Sequence, residues 1–372
     1  MGSPLLVLLL LQVAVVAVLP AGARGAGTIG KTNISAIFFF GDSLVDPGNN
    51  NDRITVAKAN FPPYGKDFPG GKPTGRFSDG KVPGDLFASK LGVKELLPPY
   101  LGYNLQLNDL RTGVAFASGG SGYDPFTTQV TNGISSTGQL ELFQDYKEKL
   151  KTLVGEEEMT RVISQGIFFT AMGANDIANN YYTFPLRRLQ YDVSSYVDFL
   201  VSSAINFTVT LNDMGAKKIG FVGILPIGCC PSQRTLEGGP SSECEPLRNQ
   251  ASELFNTRIS KEIDRLNAER NVDGSKFAYL DIYYNLLDII KNPALYGFKE
   301  VSQGCCGSKV FDAAIFIAYH RRACPNVGDY IFWDGFHPTE KAYNIIVDKI
   351  IEQNMQFLIV ADAVALWVEE RE

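Results

Sequence analysis

The chain carries two histidines, His320 and His337, and the side chain that activates a hydroxyl near neutral pH is most often histidine. His320 sits in Ile317-Ala318-Tyr319-His320-Arg321-Arg322 with no acid nearby, and reads as a packed or surface residue. His337 lies in Asp334-Gly335-Phe336-His337-Pro338, three positions after a carboxylate and across a glycine-containing turn. That spacing lets Asp334 accept the imidazole Nδ1 proton, fix the tautomer and leave Nε2 free to take a proton. Such a pair means little without a nucleophile. Ser43 follows an apolar run in Phe39-Phe40-Gly41-Asp42-Ser43-Leu44, where a strand end would project its hydroxyl over a sheet edge. Gly41 permits a sharp turn there. Read in isolation, Ser43 is better taken as a turn residue or a helix N-cap.

Acyl transfer also needs donors for a developing oxyanion. Met172-Gly173-Ala174-Asn175-Asp176 places the Asn175 amide at the end of a second apolar run. Ala117-Ser118-Gly119-Gly120-Ser121-Gly122 offers accessible backbone N–H groups. This glycine-rich stretch lacks the lysine of a phosphate-binding loop and the third glycine of a dinucleotide fingerprint, so phosphate cradling is disfavoured.

These residues must be held by a scaffold, and the pattern of apolar runs suggests which. Ala36–Phe40, Gly166–Met172, Lys218–Ile224 and Lys276–Asp281 are short, β-prone and apolar on both faces, as strands of a covered parallel sheet are. Helical spacing runs from Tyr196 to Met214 and stops at Gly215. Leu247, Leu254, Ile259, Ile263 and Leu266 form an apolar stripe on another helix, and Pro338 suits the first turn of a helix from Thr339 to Gln353. Strand–helix alternation implies a parallel sheet with helices on both sides and functional residues beyond its carboxyl ends. Residues 50 to 135 have a loop composition, fitting for substrate pockets. No repeat or long linker divides the chain.

With 372 residues, 45% of them hydrophobic, the chain can bury a full core. Its net charge of −6 is spread without a Lys/Arg block, which argues against nucleic-acid binding. Leu5–Leu19, broken only by Gln12 and followed by Pro20-Ala21-Gly22-Ala23, reads as a secretory signal peptide, and is too short to span a bilayer. Six cysteines (Cys229, Cys230, Cys244, Cys305, Cys306, Cys324) without metal-ligand spacing suit disulfides in an oxidising compartment, with 15 pairings open. No metal or cofactor is expected. Asn33-Ile34-Ser35 and Asn206-Phe207-Thr208 are glycosylation sequons.

Taken together, Phe40-Gly41-Asp42-Ser43-Leu44, the Gly119-Gly120 stretch, Gly173-Ala174-Asn175-Asp176 and Asp334-Gly335-Phe336-His337-Pro338 resemble the four ordered blocks of GDSL esterases/lipases, within the SGNH hydrolase superfamily. Gly75-Arg76-Phe77-Ser78-Asp79-Gly80-Lys81, Leu225-Pro226-Ile227-Gly228-Cys229 and Cys324-Pro325-Asn326 resemble the plant branch, and Gly119–Pro125 its extracellular-lipase-type members. The resemblance implies a three-layer α/β/α sandwich with a mainly parallel, flavodoxin-like sheet. It casts Ser43 as nucleophile, His337 as base, Asp334 as its orienting acid, and Gly120 and Asn175 as oxyanion donors. It pairs Cys229 with Cys244 and Cys305 or Cys306 with Cys324.

The expected organisation is a cleaved leader over 1–25, a hydrolase domain over 26–354 and an atypical tail over 355–372. The expected activity is cleavage of acyl esters, lipid-type, by a secreted glycoprotein without a membrane span once the leader is removed. Two alternatives differ in outcome: acyl transfer to a lipophilic alcohol or pigment, and a non-catalytic secreted binding protein. Ordinary α/β-hydrolases fit less well, because Val45 stands where their second glycine would be, Ser43 lies near the mature N-terminus and Asp334 almost adjoins His337 in sequence.

Overall fold

The computed structural model describes residues 34–103, 105–184, 186–237, 243–270, 273–307 and 323–358. His320, Asn33, the leader and residues 359–372 lie outside them.

The four apolar runs become β1 (Ile37–Gly41), β2 (Ile167–Ala171), β3 (Lys218–Val222) and β4 (Lys276–Leu280), parallel and hydrogen-bonded in that order. Successive side chains of a strand point to opposite faces, and in β1 both faces are occupied. Phe38 and Phe40 meet Phe143 of the helix Ser136–Val154, and Phe40 also reaches Phe207 of the helix Val193–Asp213. Phe39 points the other way, onto Phe87 of the helix Pro83–Lys90. Helices therefore cover the sheet on both sides, giving the α/β/α sandwich. Register adds a zipper between β1 and β2: Phe38 stacks on Phe168 and Phe39 on Phe169, with ring centroids 4.5 and 4.6 Å apart. Each such pair contributes about 0.5–1.5 kcal/mol beyond its buried area.

β1 is not the sheet's edge. Residues 114–117 run parallel beside it: Phe39 N donates to Val114 O (3.3 Å), Phe116 N to Phe39 O (2.7 Å), and Ser118 N to Gly41 O (3.0 Å). Counted second in chain order, this segment completes the flavodoxin-like order 2-1-3-4-5. The strand order then reverses between β1 and β2, and ligands of such sheets bind at the carboxyl ends flanking that reversal. Ser43 follows β1; Asn175 follows β2.

A smaller parallel pair, β5 (Glu300–Gly304) and β6 (Tyr330–Phe332), leads straight into Asp334. The disulfides are Cys229–Cys244 and Cys305–Cys324.

Three local expectations need correction. The helix after His337 spans Glu340–Gln353; Thr339 is its N-cap, accepting from Ala342 N, so Pro338 precedes the cap instead of opening the first turn. Leu247 is 54% exposed, and the buried stripe of the helix Pro246–Arg270 is carried by Ala251, Phe255, Ile259, Ile263 and Leu266. Residues 50–135 are not only loop: they hold the helices Pro83–Lys90, Leu107–Thr112 and Pro125–Thr131 as well as the segment beside β1.

Candidate active site

The turn that presents Ser43 is fixed before the serine is reached. Asp42 N still donates to Ala171 O of β2 (3.0 Å), and a Cβ on Gly41 would sit 2.2 Å from that same oxygen, so only glycine fits. Buried Gln139 brackets the Gly41 backbone, accepting from its N–H (2.8 Å) and donating to its carbonyl (2.8 Å). Asp42 closes the turn: its Oδ1 accepts from Leu44 N (3.0 Å) and its carbonyl from Val45 N (3.2 Å). No helix begins here, so Ser43 is not an N-cap.

Asp46 links this turn to the glycine-rich loop, accepting from Gly48 N and Asn49 N (2.7 Å each) and from Gly119 N (2.9 Å). Gly120 has φ +80°, and a Cβ there would lie 2.7 Å from the Thr131 side chain. Asn175 sits between β2 and a π-helical segment, Asp176–Thr183, a form of helix often found at functional sites. Its Nδ2 donates to Ser121 O (2.9 Å) and its Oδ1 accepts from Asn179 (3.2 Å). The next residue, Asp176, accepts from Tyr123 N (2.8 Å), Asp124 N (3.2 Å) and the Thr127 hydroxyl, which pins the glycine-rich loop to β2.

The acid and base come from the loop after β6. Asp334 Oδ1 accepts from Phe336 N (2.8 Å) and His337 N (2.7 Å), folding the turn back on itself. The imidazole Nδ1 lies 2.8 Å from Asp334 Oδ2 and 2.9 Å from Oδ1, while Nε2 lies 2.8 Å from Ser43 Oγ. An ionised Asp334 can only accept, which assigns the proton to Nδ1 and makes Nε2 the acceptor for the serine hydroxyl. Tyr64 donates its hydroxyl to Asp334 Oδ2 (2.7 Å), and the Phe77 ring lies 5.0 Å from the imidazole. Behind the turn, Ser232 N donates to Gly335 O (3.0 Å) and Trp333 N to His337 O (2.7 Å).

Burial is the strongest influence on Asp334 and opposes its ionisation. The charge of His337 and hydrogen bonds from His337 and Tyr64 together outweigh it and hold the carboxyl below the usual range. Asp42 behaves oppositely. Burial pushes it up to about 7, against the Leu44 N–H and the charge of His337, and its Oδ2 has no hydrogen-bond partner.

Ser43, His337, Gly120 and Asn175 line one cleft, whose remaining walls include Leu44, Ala57, Ala178, Leu225, Ile227 and Phe336. The lining is mainly apolar. Every expected site residue except the fully buried Asp334 faces this space, and Asp334 reaches it through His337. Sequence reasoning did not find Tyr64, Gln139, Asp46 or Asp176. The only cue was that Asp46 and Asp176 are acids within three residues of Ser43 and Asn175.

A serine, an imidazole and a buried carboxylate in hydrogen-bonded sequence, at the C-terminal edge of a parallel sheet, define a serine-hydrolase type of site. The comparisons with known proteins name the family. A profile described as GDSL-like lipase/acylhydrolase matches residues 37–350. The Arabidopsis thaliana GDSL esterase/lipase At1g20120 is 45% identical over 326 residues, 87% of this chain and 81% of the relative. Its counterpart At3g14820 is 44% identical over 328 residues, 88% of this chain and 92% of the relative. A third Arabidopsis thaliana relative, GDSL esterase/lipase EXL2, is 44% identical over 333 residues, 86% of this chain and 87% of the relative. The chain belongs to the plant GDSL esterase/lipase family and is a carboxylic ester hydrolase.

Proposed function

We propose that Ser43 is the nucleophile of this ester hydrolase, His337 its general base and Asp334 the acid that orients the base. One observation carries the reading: His337 stands between the other two, with Nε2 2.8 Å from Ser43 Oγ and Nδ1 2.8 Å from Asp334 Oδ2. His337 takes the Ser43 proton as Oγ adds to the ester carbonyl, and the carbonyl electron pair moves onto oxygen. The Gly120 N–H and the Asn175 Nδ2 proton not used by Ser121 receive that oxyanion. Collapse expels the alcohol, protonated by His337, and leaves an acyl-Ser43. Water, deprotonated by His337, then adds to the acyl carbon and releases the acid and free Ser43.

The apolar lining supports a lipid-type acyl chain. Two disulfides support passage through an oxidising, secretory compartment, with residues 1–25 as the removed leader and 26–354 as the working domain. Among the described residues no helix is long and apolar enough to cross a membrane.

The test is Ser43→Ala assayed on p-nitrophenyl esters of rising chain length. Turnover is expected to fall at least about 1000-fold with the circular dichroism spectrum unchanged. Undiminished hydrolysis would overturn the assignment. The chain length giving the highest kcat/KM in the unaltered enzyme measures how deep the acyl pocket is.

A further inference from the structure

We propose that Tyr64 is a positioning residue for the Asp334–His337 pair, its hydroxyl holding Oδ2, one of the two carboxylate oxygens that face the imidazole, and so fixing where that carboxylate directs its charge. The proposal rests on the reading of His337 as general base. Asp334 is fully buried, so no solvent can take up the lone pairs its protein partners leave. Oδ1 accepts from two backbone N–H groups and lies 2.9 Å from Nδ1, whereas Oδ2 lies 2.8 Å from Nδ1 and accepts from the Tyr64 hydroxyl at 2.7 Å. Both oxygens face the imidazole, and Tyr64 is the side chain that holds Oδ2 in place beside it.

The tyrosine ring is not free to let go. It is 1% exposed and held edge-on by Phe61, Phe77 and Trp333, at centroid distances of 5.4, 6.0 and 6.2 Å. Two of these also serve the pair: Phe77 lies against the His337 ring, and Trp333 immediately precedes Asp334. Residues 61–81 are fastened beyond the far end of the same turn too. Asp79 accepts from Glu340 N (2.8 Å), and Glu340 accepts from Lys81 N (2.7 Å). The segment thus crosses behind the turn and grips both of its ends. Removing the hydroxyl alone would keep the ring contacts and the Asp79–Glu340–Lys81 bonds while taking one hydrogen bond from the carboxylate that faces the imidazole. Its charge would then favour the protonated ring more strongly, and the base would be emptied of its proton only at higher pH.

The experiment compares Tyr64→Phe with Tyr146→Phe, a control whose buried hydroxyl donates to Leu110 O away from the cleft. Tyr64→Phe is expected to lower kcat on p-nitrophenyl butyrate roughly 10- to 100-fold with KM within about twofold, and to move the acid limb of kcat/KM to higher pH. In an Asp334→Asn background the same change should have no further effect. Replacing Tyr64 by 3-fluorotyrosine, which keeps ring and hydroxyl but donates more strongly, should move the limb to lower pH, and remains informative if Tyr64→Phe fails to fold. A limb unmoved by either replacement, an equal loss in Tyr146→Phe, or additivity with Asp334→Asn each overturns the proposal. Ser43→Ala is run alongside: turnover surviving there sinks the nucleophile reading and this one together, whereas an inactive Ser43→Ala with an unmoved limb sinks only Tyr64.

Discussion

The two halves of the site are held by different physics. Ser43 and Asn175 stand at the tips of adjacent parallel strands, where backbone ladders and stacked phenylalanines fix them within a few residues of their own position. Asp334 and His337 follow a three-residue strand in a minor two-stranded pair. Their turn is held from outside, by Tyr64, by Ser232, and by β5, which the Cys305–Cys324 disulfide anchors through Cys305 N donating to Phe332 O (3.0 Å). A serine at a strand tip of the main sheet needs little help; a histidine carried on a loop needs fastening from several distant segments. The sheet half should therefore be hard to displace and chemically sensitive, and the loop half should yield first to unfolding.

Three measurements can break or sharpen that contrast. The largest effect is expected on the sheet half. Asn175→Ala should lower kcat about 100- to 1000-fold, the usual loss of one oxyanion donor, with KM and the urea midpoint nearly unchanged. A large fall in the midpoint would mean that Asn175 holds the strand tip instead. Next comes the loop half. The Cys305→Ala/Cys324→Ala variant opens a loop of 19-residue separation and should lose about 3 kcal/mol of stability. Its activity should vanish at lower urea than its sheet, followed by far-UV circular dichroism; coincident transitions would show that both halves melt as one.

The smallest effect concerns Asp42, the residue before Ser43. Its carboxyl is pushed up to about 7 by burial, from an ordinary 3.8, so the folded protein binds its proton more tightly than the unfolded chain does. Its contribution is then unpenalised below about pH 4 and is lost as pH climbs to about 7, so this group lowers stability across that window as pH rises. Asp46, Asp79 and Asp176 shift in the same direction. Asp42→Asn should accordingly flatten, without abolishing, the fall in urea midpoint between pH 4.5 and 7.5. An unchanged slope would place its proton elsewhere.

The same division explains what the sequence disclosed. β1 to β3 were legible because a strand buried on both faces must be written in consecutive apolar residues, as Ile37-Phe38-Phe39-Phe40 is. Asp334 and His337 were legible because their contact is local, three residues apart. β5 was not: Glu300-Val301-Ser302-Gln303-Gly304 is half-buried and mostly polar, so its pairing leaves no periodic trace. Gln139 and Tyr64 were hidden for another reason. Their partners lie 98 and 270 residues away, and only the folded topology decides which of many buried polar side chains meets which.

That topology also sets a clock. The serine leaves the ribosome 294 residues ahead of the imidazole that would activate it. At ordinary translation speeds of about 5–20 residues per second, the interval is roughly 15 to 60 s. Throughout it the nascent chain holds the Ser43 hydroxyl without its imidazole partner. The Ser43–His337 hydrogen bond can form only after that interval.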